Sequence, residues 1–412
     1  MNPGARLYQL KKGGSNIIAG RRLKDNTSFF GYERSNGCVG VRNYVAILPS
    51  VVCATPVARR IADNVKGAVA IFHHQGCTQL GADLEVTLRT VTGLGMNPNV
   101  AAVLVVGLGC ESMSPERLSE AIAESKKPVE TLIIQDAGGT TKTVREGVTR
   151  AREMVRCASY VKRKPCDLSK LTLAVKCGSS DTTSGIAANP AIGVVSDMIV
   201  NSGGTVIIGE TTELIGAEHI LAKRAISADV AKKIRQIVRR MENRAKAMGV
   251  DMRGAQPTPG NIEGGITTIE EKSLGAIYKG GTTSIKGVLD YAEKPKGNGL
   301  YVMDTPGREP EALTGFAAGG AQIIAFTTGR GAPQGFPIVP VLKITGNPRT
   351  YENMMNDMDI NAGTIICGKE TINEVGNRLF VEILKVASGK MTKSEAFSYA
   401  EPVDIFRIGP TL

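Results

Sequence analysis

From Phe29 onward, short apolar runs rich in β-branched residues alternate with segments whose apolar residues recur at helical spacing. Runs of the first kind lie at 45–52, 68–72, 101–107 and 131–134, and later strands are predicted at 171–175, 205–208, 300–303, 322–326, 339–344 and 364–366. A helix is predicted over 115–125, because Ser114 is a suitable N-cap and Pro115 suits the first turn. Such alternation is typical of a parallel sheet covered by helices. The sequence therefore predicts an α/β protein, in which a parallel-sheet domain with helices on both faces is followed by a second, larger α/β domain.

The chain has 412 residues, which is enough for two domains of ordinary size. We expect a flexible basic arm over 1–28, a first domain over 29–165 and a C-terminal domain over 166–412. A basic segment that contains proline, 162–167, separates the two domains. The segment 254–299 is rich in Gly, Thr and Pro and is predicted to be a long loop, which in a compact domain usually builds a site.

Composition excludes several classes of protein. No apolar run approaches the ~18 residues of a membrane span, and eight scattered cysteines are typical of reduced thiols in a cytoplasmic protein. The net charge of +11 suits either a nucleic acid or an anionic metabolite. Aromatic residues make up only 4% and tryptophan is absent, and the basic helix predicted at 232–246 is interpreted as a solvated face. We therefore expect an anionic small molecule as the partner, with no nucleic acid and no membrane.

Several cysteines fall at or just after the C-terminal ends of predicted strands. Ligands of open α/β sheets bind at those ends. Buried cysteines also favour strands, since a free thiol behaves as a small hydrophobic group, so a structural role stays open. Polar neighbours in the segments 73–77, 107–111 and 176–181 favour a shared site. The five cysteines are Cys53, Cys77, Cys110, Cys177 and Cys367.

A more specific hypothesis is that these thiols bind a transition metal. A structural zinc ribbon is not supported, because the sequence has no CxxC pair. Thiolate, imidazole and carboxylate groups from separate strand ends would suit Fe(II) or a related metal. His73 and His74 are adjacent, so only one of them could point into a shared site. The acidic run from Glu210 to His219 is either part of a site or a helix start favoured by the helix dipole.

Two glycine-rich stretches are candidate anion-binding loops. The segment 259–268 offers backbone N–H groups and hydroxyls. The segment 327–331 supplies Arg330, whose guanidinium can grip a carboxylate with two hydrogen bonds. Neither stretch is a P-loop or a GxGxxG fingerprint, and glycine-rich loops are often simple turns.

Taken in order, the motifs resemble one family over nearly the whole chain, the altronate and galactarate dehydratases together with the large subunit of sulfolactate sulfo-lyase. The stretches that carry the resemblance are Gly31-Tyr32-Glu33-Arg34, Val39-Gly40-Val41-Arg42-Asn43, His73-x-x-Gly76-Cys77, Gly109-Cys110-Glu111, Lys176-Cys177-Gly178, Ser180-Asp181, Asn189-Pro190, Gly216-Ala217-Glu218, Gly264-Gly265-Ile266-Thr267-Thr268-x-Glu270-x-Lys272-Ser273, Thr327-Thr328-Gly329-Arg330-Gly331 and Asp359-x-Asn361-Ala362-Gly363. Single-chain members carry a small N-terminal SAF-type domain that has no counterpart before Phe29. The resemblance therefore implies a separate small SAF-like subunit and an oligomer.

The resemblance implies a metal-dependent β-elimination of water from a sugar acid, giving a 2-keto-3-deoxy acid. Alternatives are the large subunit of a (2R)-sulfolactate sulfo-lyase, which releases sulfite and pyruvate, and a non-catalytic sugar-acid-binding subunit. The expected cofactor is Fe(II), with Mn(II) or a [4Fe–4S] cluster as alternatives. The candidate metal ligands are His73, Cys77, Cys110, Glu111 and Cys177. The candidate acid–base residues are Lys176 and Glu218, and a lysine base requires a lowered pKa. The candidate substrate-binding residues are Asn261, Thr267, Thr268, Arg330, Ser180 and Asp181.

Overall fold

A computed structural model describes residues 28–400 and 403–409. The predicted N-terminal arm lies outside these residues except for Ser28, which begins the first strand. That strand, β1 (Ser28–Glu33), pairs antiparallel with β2 (Val39–Gly40). Within the described residues, no helix combines the length and the apolar character that crossing a membrane requires.

The first domain is a four-stranded parallel sheet with helices on both of its faces. Its strands are β3 (Tyr44–Pro49), β4 (Ala68–Ala70), β5 (Val100–Gly107) and β6 (Val129–Ile133), in the order β4-β3-β5-β6. Its helices are α1 (Thr55–Asp63), α2 (Gly81–Met96), α3 (Pro115–Ala123) and α4 (Thr140–Ser159). Helices α1 and α4 cover one face, and α2 and α3 cover the other. The predicted cap of α3 is confirmed, since Ser114 accepts a hydrogen bond from the backbone of Arg117.

The second domain contains a seven-stranded parallel sheet. After β7 (Lys164–Asp167), which pairs with β1, its strands are β8 (Thr172–Gly178), β9 (Thr205–Ile208), β10 (Ile285–Leu289), β11 (Gly299–Met303), β12 (Ile323–Thr328), β13 (Val341–Thr345) and β14 (Ile360–Asn361). The strand order is β10-β11-β9-β8-β12-β13-β14. The chain leaves β8 toward β9 on one side and later adds β12 on the other side. The crevice between the ends of β8 and β12 is thus a topological switch point, where such sheets bind ligands.

Helices cover both faces of this sheet as well, so the predicted fold class is confirmed. They are α5 (Asn189–Asn201), α6 (Glu218–Lys223), α7 (Ala228–Ala247), α8 (Met252–Ala255), α9 (Pro259–Glu263), α10 (Ile269–Ile277), α11 (Glu309–Ala318), α12 (Pro348–Asn353), α13 (Ile372–Ala387) and α14 (Lys393–Ala396). Helices α5, α7 and α13 pack on one face. Helix α11 packs on the other face together with α2 and α3, so the two domains share one apolar core.

Two expectations about secondary structure are wrong. The segment 254–299 is not a long loop, because it contains α9, α10 and β10. These elements are short and are separated by glycine and threonine, so no window is long enough to show a clear period. The strand expected at 364–366 is a turn, and β14 lies a few residues earlier.

Candidate active site

The predicted metal ligands of the first domain lie at the C-terminal edge of its sheet, where His73 is already fully hydrogen-bonded. Its Nε2 lies 2.6 Å from the carbonyl oxygen of Pro49, and its Nδ1 accepts the backbone N–H of Gln75 at 3.3 Å. Burial lowers the pKa of His73 to about 4. The imidazole is therefore neutral near pH 7, and both of its nitrogens are used by the backbone.

The other candidate ligands do not complete a metal centre around His73. Glu111 accepts hydrogen bonds from the Ser50 hydroxyl and from the backbone N–H of Leu108 and Gly109. Burial opposes ionisation of Glu111, but these hydrogen bonds outweigh it and lower its pKa. Cys77 is half-buried, and Cys110 is exposed. Across residues 28–400 and 403–409, no three His, Cys, Asp or Glu side chains are grouped so that they could hold a metal ion. The donor set as placed does not fit the expected metal.

The neutral state of His73 predicts a pH-dependent stability. In the unfolded chain His73 has an ordinary pKa of 6.5 and takes up a proton below it, whereas the folded chain does not until about pH 4. The free energy of unfolding therefore falls as the pH drops through this window, by about 2 kcal/mol between pH 7 and pH 5. Urea unfolding of His73→Gln should show about that much less pH dependence. His219→Gln, at an exposed histidine, should leave it unchanged, and equal curves for both variants would contradict this account.

A cavity of about 370 Å³ lies at the end of β8, on the side of the sheet covered by α5 and α10. Cys177 and Asn189 form its buried floor, while Ile186 and Tyr278 are more than half exposed at its mouth. The remaining lining residues are Ser180, Asp181, Thr182, Ser184, Gly185, Ile266, Glu271, Lys272 and Gly275. The cavity has the size of a small-molecule site.

Glycine shapes one wall of this cavity. A Cβ added to Gly275 of α10 would lie 2.9 Å from the Cα of Gly185, which is closer than side chains pack. Only glycine at this position lets α10 approach the turn after β8, and this approach brings Lys272 to the cavity. Larger residues at Gly275 would push the wall outward.

The floor is a hydrogen-bonded group of neutral side chains. The Sγ of Cys177 lies 3.0 Å from the Oγ of Ser180 and accepts the Nδ2 of Asn189 at 3.5 Å. Asn189 is oriented by the Thr327 hydroxyl, which donates to its Oδ1 at 2.6 Å. Burial raises the pKa of Cys177, so the thiol keeps its proton at neutral pH. Thr327 belongs to β12, so the floor spans the switch point.

Asp181 adds a carboxylate that the surrounding residues hold in one orientation. Its Oδ1 accepts the Thr183 hydroxyl at 2.6 Å and the backbone N–H of Ser184 at 2.9 Å. Its Oδ2 accepts the Nδ2 of Asn347 at 3.0 Å. The two predicted substrate-binding residues Ser180 and Asp181 therefore do line the cavity, and their binding role stays a prediction.

A buried network of alternating charges reaches the cavity at Lys272. The Nζ of Lys272 lies 3.6 Å from Glu213, and the Nζ of Lys279 lies 3.6 Å from the other oxygen of Glu213. Lys279 and Lys176 both form ion pairs with Glu210. Burial, followed by the charge of Glu210, raises the pKa of Glu213. The Oε2 of Glu213 is buried without a hydrogen-bond partner.

Lys176 does not meet the condition for a base. Its Nζ donates to Glu210 at 2.6 Å, to the carbonyl of Cys177 at 2.8 Å and to the carbonyl of Gly307 at 3.2 Å, which uses all three protons. Burial alone would lower its pKa, but the charges of Glu210, Glu309 and Glu213 together outweigh burial and raise it. Lys176 is therefore a permanent cation that holds Glu210, and it lacks the lowered pKa that a lysine base requires.

The other predicted acid–base and substrate-binding residues are outside the cavity lining. Glu218 accepts the backbone N–H of Gly216 at 2.7 Å, at the start of α6. Arg330 is half-exposed and donates to Glu263 at 2.7 Å, so its guanidinium is held at the surface.

The remaining three predicted substrate-binding residues form local hydrogen bonds at the starts of helices. Thr267 donates to Glu271, and Thr268 caps α10. Asn261 accepts the backbone N–H of Thr258, the N-cap of α9, and donates to the carbonyl of Ser180 at 2.9 Å. Of the thiols and the guanidinium expected to surround one ligand, Cys177 lines this cavity, whereas Cys77, Cys110 and Arg330 are outside its lining.

Sequence reasoning missed Glu213, Lys272 and Lys279. Two signals were present: Glu213 belongs to the acidic run after β9, and Lys272 belongs to the glycine–threonine motif that ends at Ser273. Lys279 carries no such signal, because its partner Glu210 lies 69 residues away.

A charged, partly buried cavity at the switch point of a parallel sheet is the arrangement of an α/β enzyme that acts on a small molecule. Comparison with known proteins gives the family. Residues 31–159 match the family described as "D-galactarate dehydratase/Altronate hydrolase, second domain", and residues 168–411 match "D-galactarate/Altronate dehydratase, C-terminal". The chain belongs to this family, and the resemblance in its motifs is confirmed.

Curated relatives agree with this assignment. The chain is 42% identical to the (2R)-sulfolactate sulfo-lyase subunit beta of Chromohalobacter salexigens, over 92% of this chain and 97% of the relative. It is 36% identical to the altronate dehydratase of Bacillus subtilis, over 94% of this chain and 79% of the relative. It is 35% identical to the galactarate dehydratase (L-threo-forming) of Escherichia coli, over 93% and 77% respectively. These relatives are lyases, and the chain is an enzyme of that class.

Proposed function

We propose that this chain catalyses the β-elimination of water from a sugar acid in the cavity at the end of β8. The observation that carries the proposal is the cavity itself, which is lined by Lys272 together with residues that carry thiol, hydroxyl and amide groups. The lining suits a polyhydroxylated carboxylate, because the hydroxyls of the substrate can pair with Ser180, Asn189 and Asp181. The family relationship supports the same reaction class.

In this reaction the C2–H and C3–O bonds break and a C2=C3 double bond forms. The C2 proton and the C3 hydroxyl leave together as water, and the resulting enol tautomerises to a 2-keto-3-deoxy acid. Negative charge builds on the carboxylate as the C2 proton departs, and the Lys272 ammonium stabilises it. Glu213 acts through Lys272 as a positioning residue. Its carboxyl group lies 3.6 Å from the Nζ of Lys272 and holds that side chain at the cavity. Cys177 keeps its proton and can donate a hydrogen bond to the departing hydroxyl.

Three features of the proposal remain predictions from the sequence. They are a metal cofactor, with Fe(II) before Mn(II) or a [4Fe–4S] cluster, a cytoplasmic location and a separate small SAF-like subunit. The name of the sulfo-lyase relative, a subunit beta, supports a partner subunit. Metal analysis of protein purified without oxygen tests the cofactor independently of turnover.

The experiment that tests the proposed function is a substrate panel. The purified protein, with and without the small subunit and Fe(II), is incubated with altronate, galactarate and (2R)-sulfolactate. We expect a 2-keto-3-deoxy acid from at least one sugar acid. Failure to form that product under every condition would contradict the proposal.

A second candidate is the sulfo-lyase reaction, which the 42% identity over 97% of the sulfo-lyase subunit favours. Its substrate carries a sulfonate as well as a carboxylate, whereas the cavity is lined by two carboxylates, Asp181 and Glu271, and by the single ammonium of Lys272. Sulfite and pyruvate from the same panel would favour this candidate over dehydration.

A further inference from the structure

The cavity carries opposite charges at its inner part and at its mouth. Lys272 lies inside it, with its side chain 14% exposed and its Nζ beside the buried Glu213. Glu271 precedes it on α10 and is exposed at the mouth. Neighbouring residues of a helix point about 100° apart, so the two side chains line different parts of the cavity.

Glu271 is held in place rather than free to move away. Its Oε2 accepts the backbone N–H of Thr267 at 2.8 Å and the hydroxyl of Thr267 at 2.6 Å. These hydrogen bonds lower the pKa of Glu271, so the carboxylate is ionised at neutral pH. A fixed negative charge therefore stands at the entrance, while the attractive positive charge stands farther inside.

We propose that Glu271 is a specificity-determining residue that selects sugar acids with a single carboxylate over dicarboxylates and sulfonated acids. The inference rests on the proposed function. A substrate whose carboxylate binds Lys272 presents its far end to Glu271. A terminal hydroxyl there donates a hydrogen bond to Glu271, whereas a second anionic group is repelled.

The negative charge of Glu271 can be removed while its hydrogen bonds with Thr267 are kept. Glutamine at position 271 keeps an oxygen that accepts from Thr267 and removes only the charge. Glu270 provides a matched control, because it is the adjacent, half-exposed carboxylate of the same helix, does not line the cavity and pairs with Arg253 at 2.6 Å. Thermal melting confirms that both variants are folded.

The test compares altronate, a monocarboxylate, with galactarate, a dicarboxylate of the same length. Both kcat/KM and the Kd from calorimetry are measured for the unmodified protein, Glu271→Gln and Glu270→Gln. We expect altronate to be preferred by at least about tenfold, and Glu271→Gln to reduce that preference about tenfold. Glu270→Gln should retain it. Added salt should weaken the preference of the unmodified protein, because the repulsion acts at an exposed mouth.

Two different failures can be distinguished. If sugar acids are dehydrated but galactarate performs as well as altronate, or if Glu271→Gln leaves the preference unchanged, the role of Glu271 is overturned while the proposed function stands. If no sugar acid is dehydrated but binding still favours altronate and Glu271→Gln removes this preference, the role of Glu271 stands and the proposed function fails. If neither acid binds, both are overturned.

Discussion

Replacing Lys272 with methionine is expected to lower kcat for sugar-acid dehydration by roughly 10²–10³-fold, the loss typical when a group that stabilises developing charge is removed. Methionine keeps most of the length and apolar character of the lysine stem, so the cavity wall stays intact. Lys272 contributes the ammonium of the lining, and its partner Glu213 would remain buried without it. Steady-state kinetics with the best substrate of the panel measures the effect.

The matched control for this variant is Lys223→Met. Lys223 is an exposed lysine in the last turn of α6, in the same domain. Its replacement should leave kcat and KM within about twofold, since a surface charge of this kind contributes little. Equal activity of Lys272→Met and Lys223→Met would show that Lys272 does not contribute to catalysis.

Replacing Glu210 with glutamine is expected to lower the free energy of unfolding by about 3–5 kcal/mol. Glu210 is completely buried and is the shared partner of two equally buried ammonium groups, Lys176 and Lys279. Without the charge of Glu210, both cations stay in a low-dielectric interior and lack their shared counter-charge. Removing one partner of a buried ion pair in this way is strongly destabilising. Chemical denaturation at pH 7 measures the change.

An exposed ion pair provides the comparison for Glu210. Glu146 pairs with Arg150 one turn away on the surface of α4. Its replacement by glutamine should cost no more than about 1 kcal/mol, because water solvates both charges. If the two glutamine variants were equally stable, the buried network would not contribute to folding as described.

Sequence alone predicted the sheets better than the segments between them. Strands such as β5 and β9 are continuous apolar runs, because a parallel sheet covered on both faces buries every side chain. The short helices α9 and α10 have no such signature, and their starts depend on the caps Thr258 and Thr268. A threonine before a glycine-rich stretch indicates a loop as readily as a helix.

The candidate site was also predicted only in part, because its geometry depends on contacts between residues that are distant in the sequence. The end of β8 was identified correctly as a place where polar side chains meet, and Ser180, Asp181 and Cys177 line the cavity. Cys77 and Cys110 follow strands of the first sheet, whereas Cys177 ends a strand of the second, and the sequence could not show whether these strand ends meet. It also could not show that both ring nitrogens of His73 are hydrogen-bonded to the backbone, because one of these bonds depends on the position of Pro49, 24 residues away.

A crystal structure of this protein with altronate bound tests the central claim most directly. The account predicts density for the sugar acid above Cys177, with a carboxylate oxygen about 2.7–2.9 Å from the Nζ of Lys272. A sugar acid bound instead beside Cys77 and Cys110, at the edge of the first sheet, would contradict it.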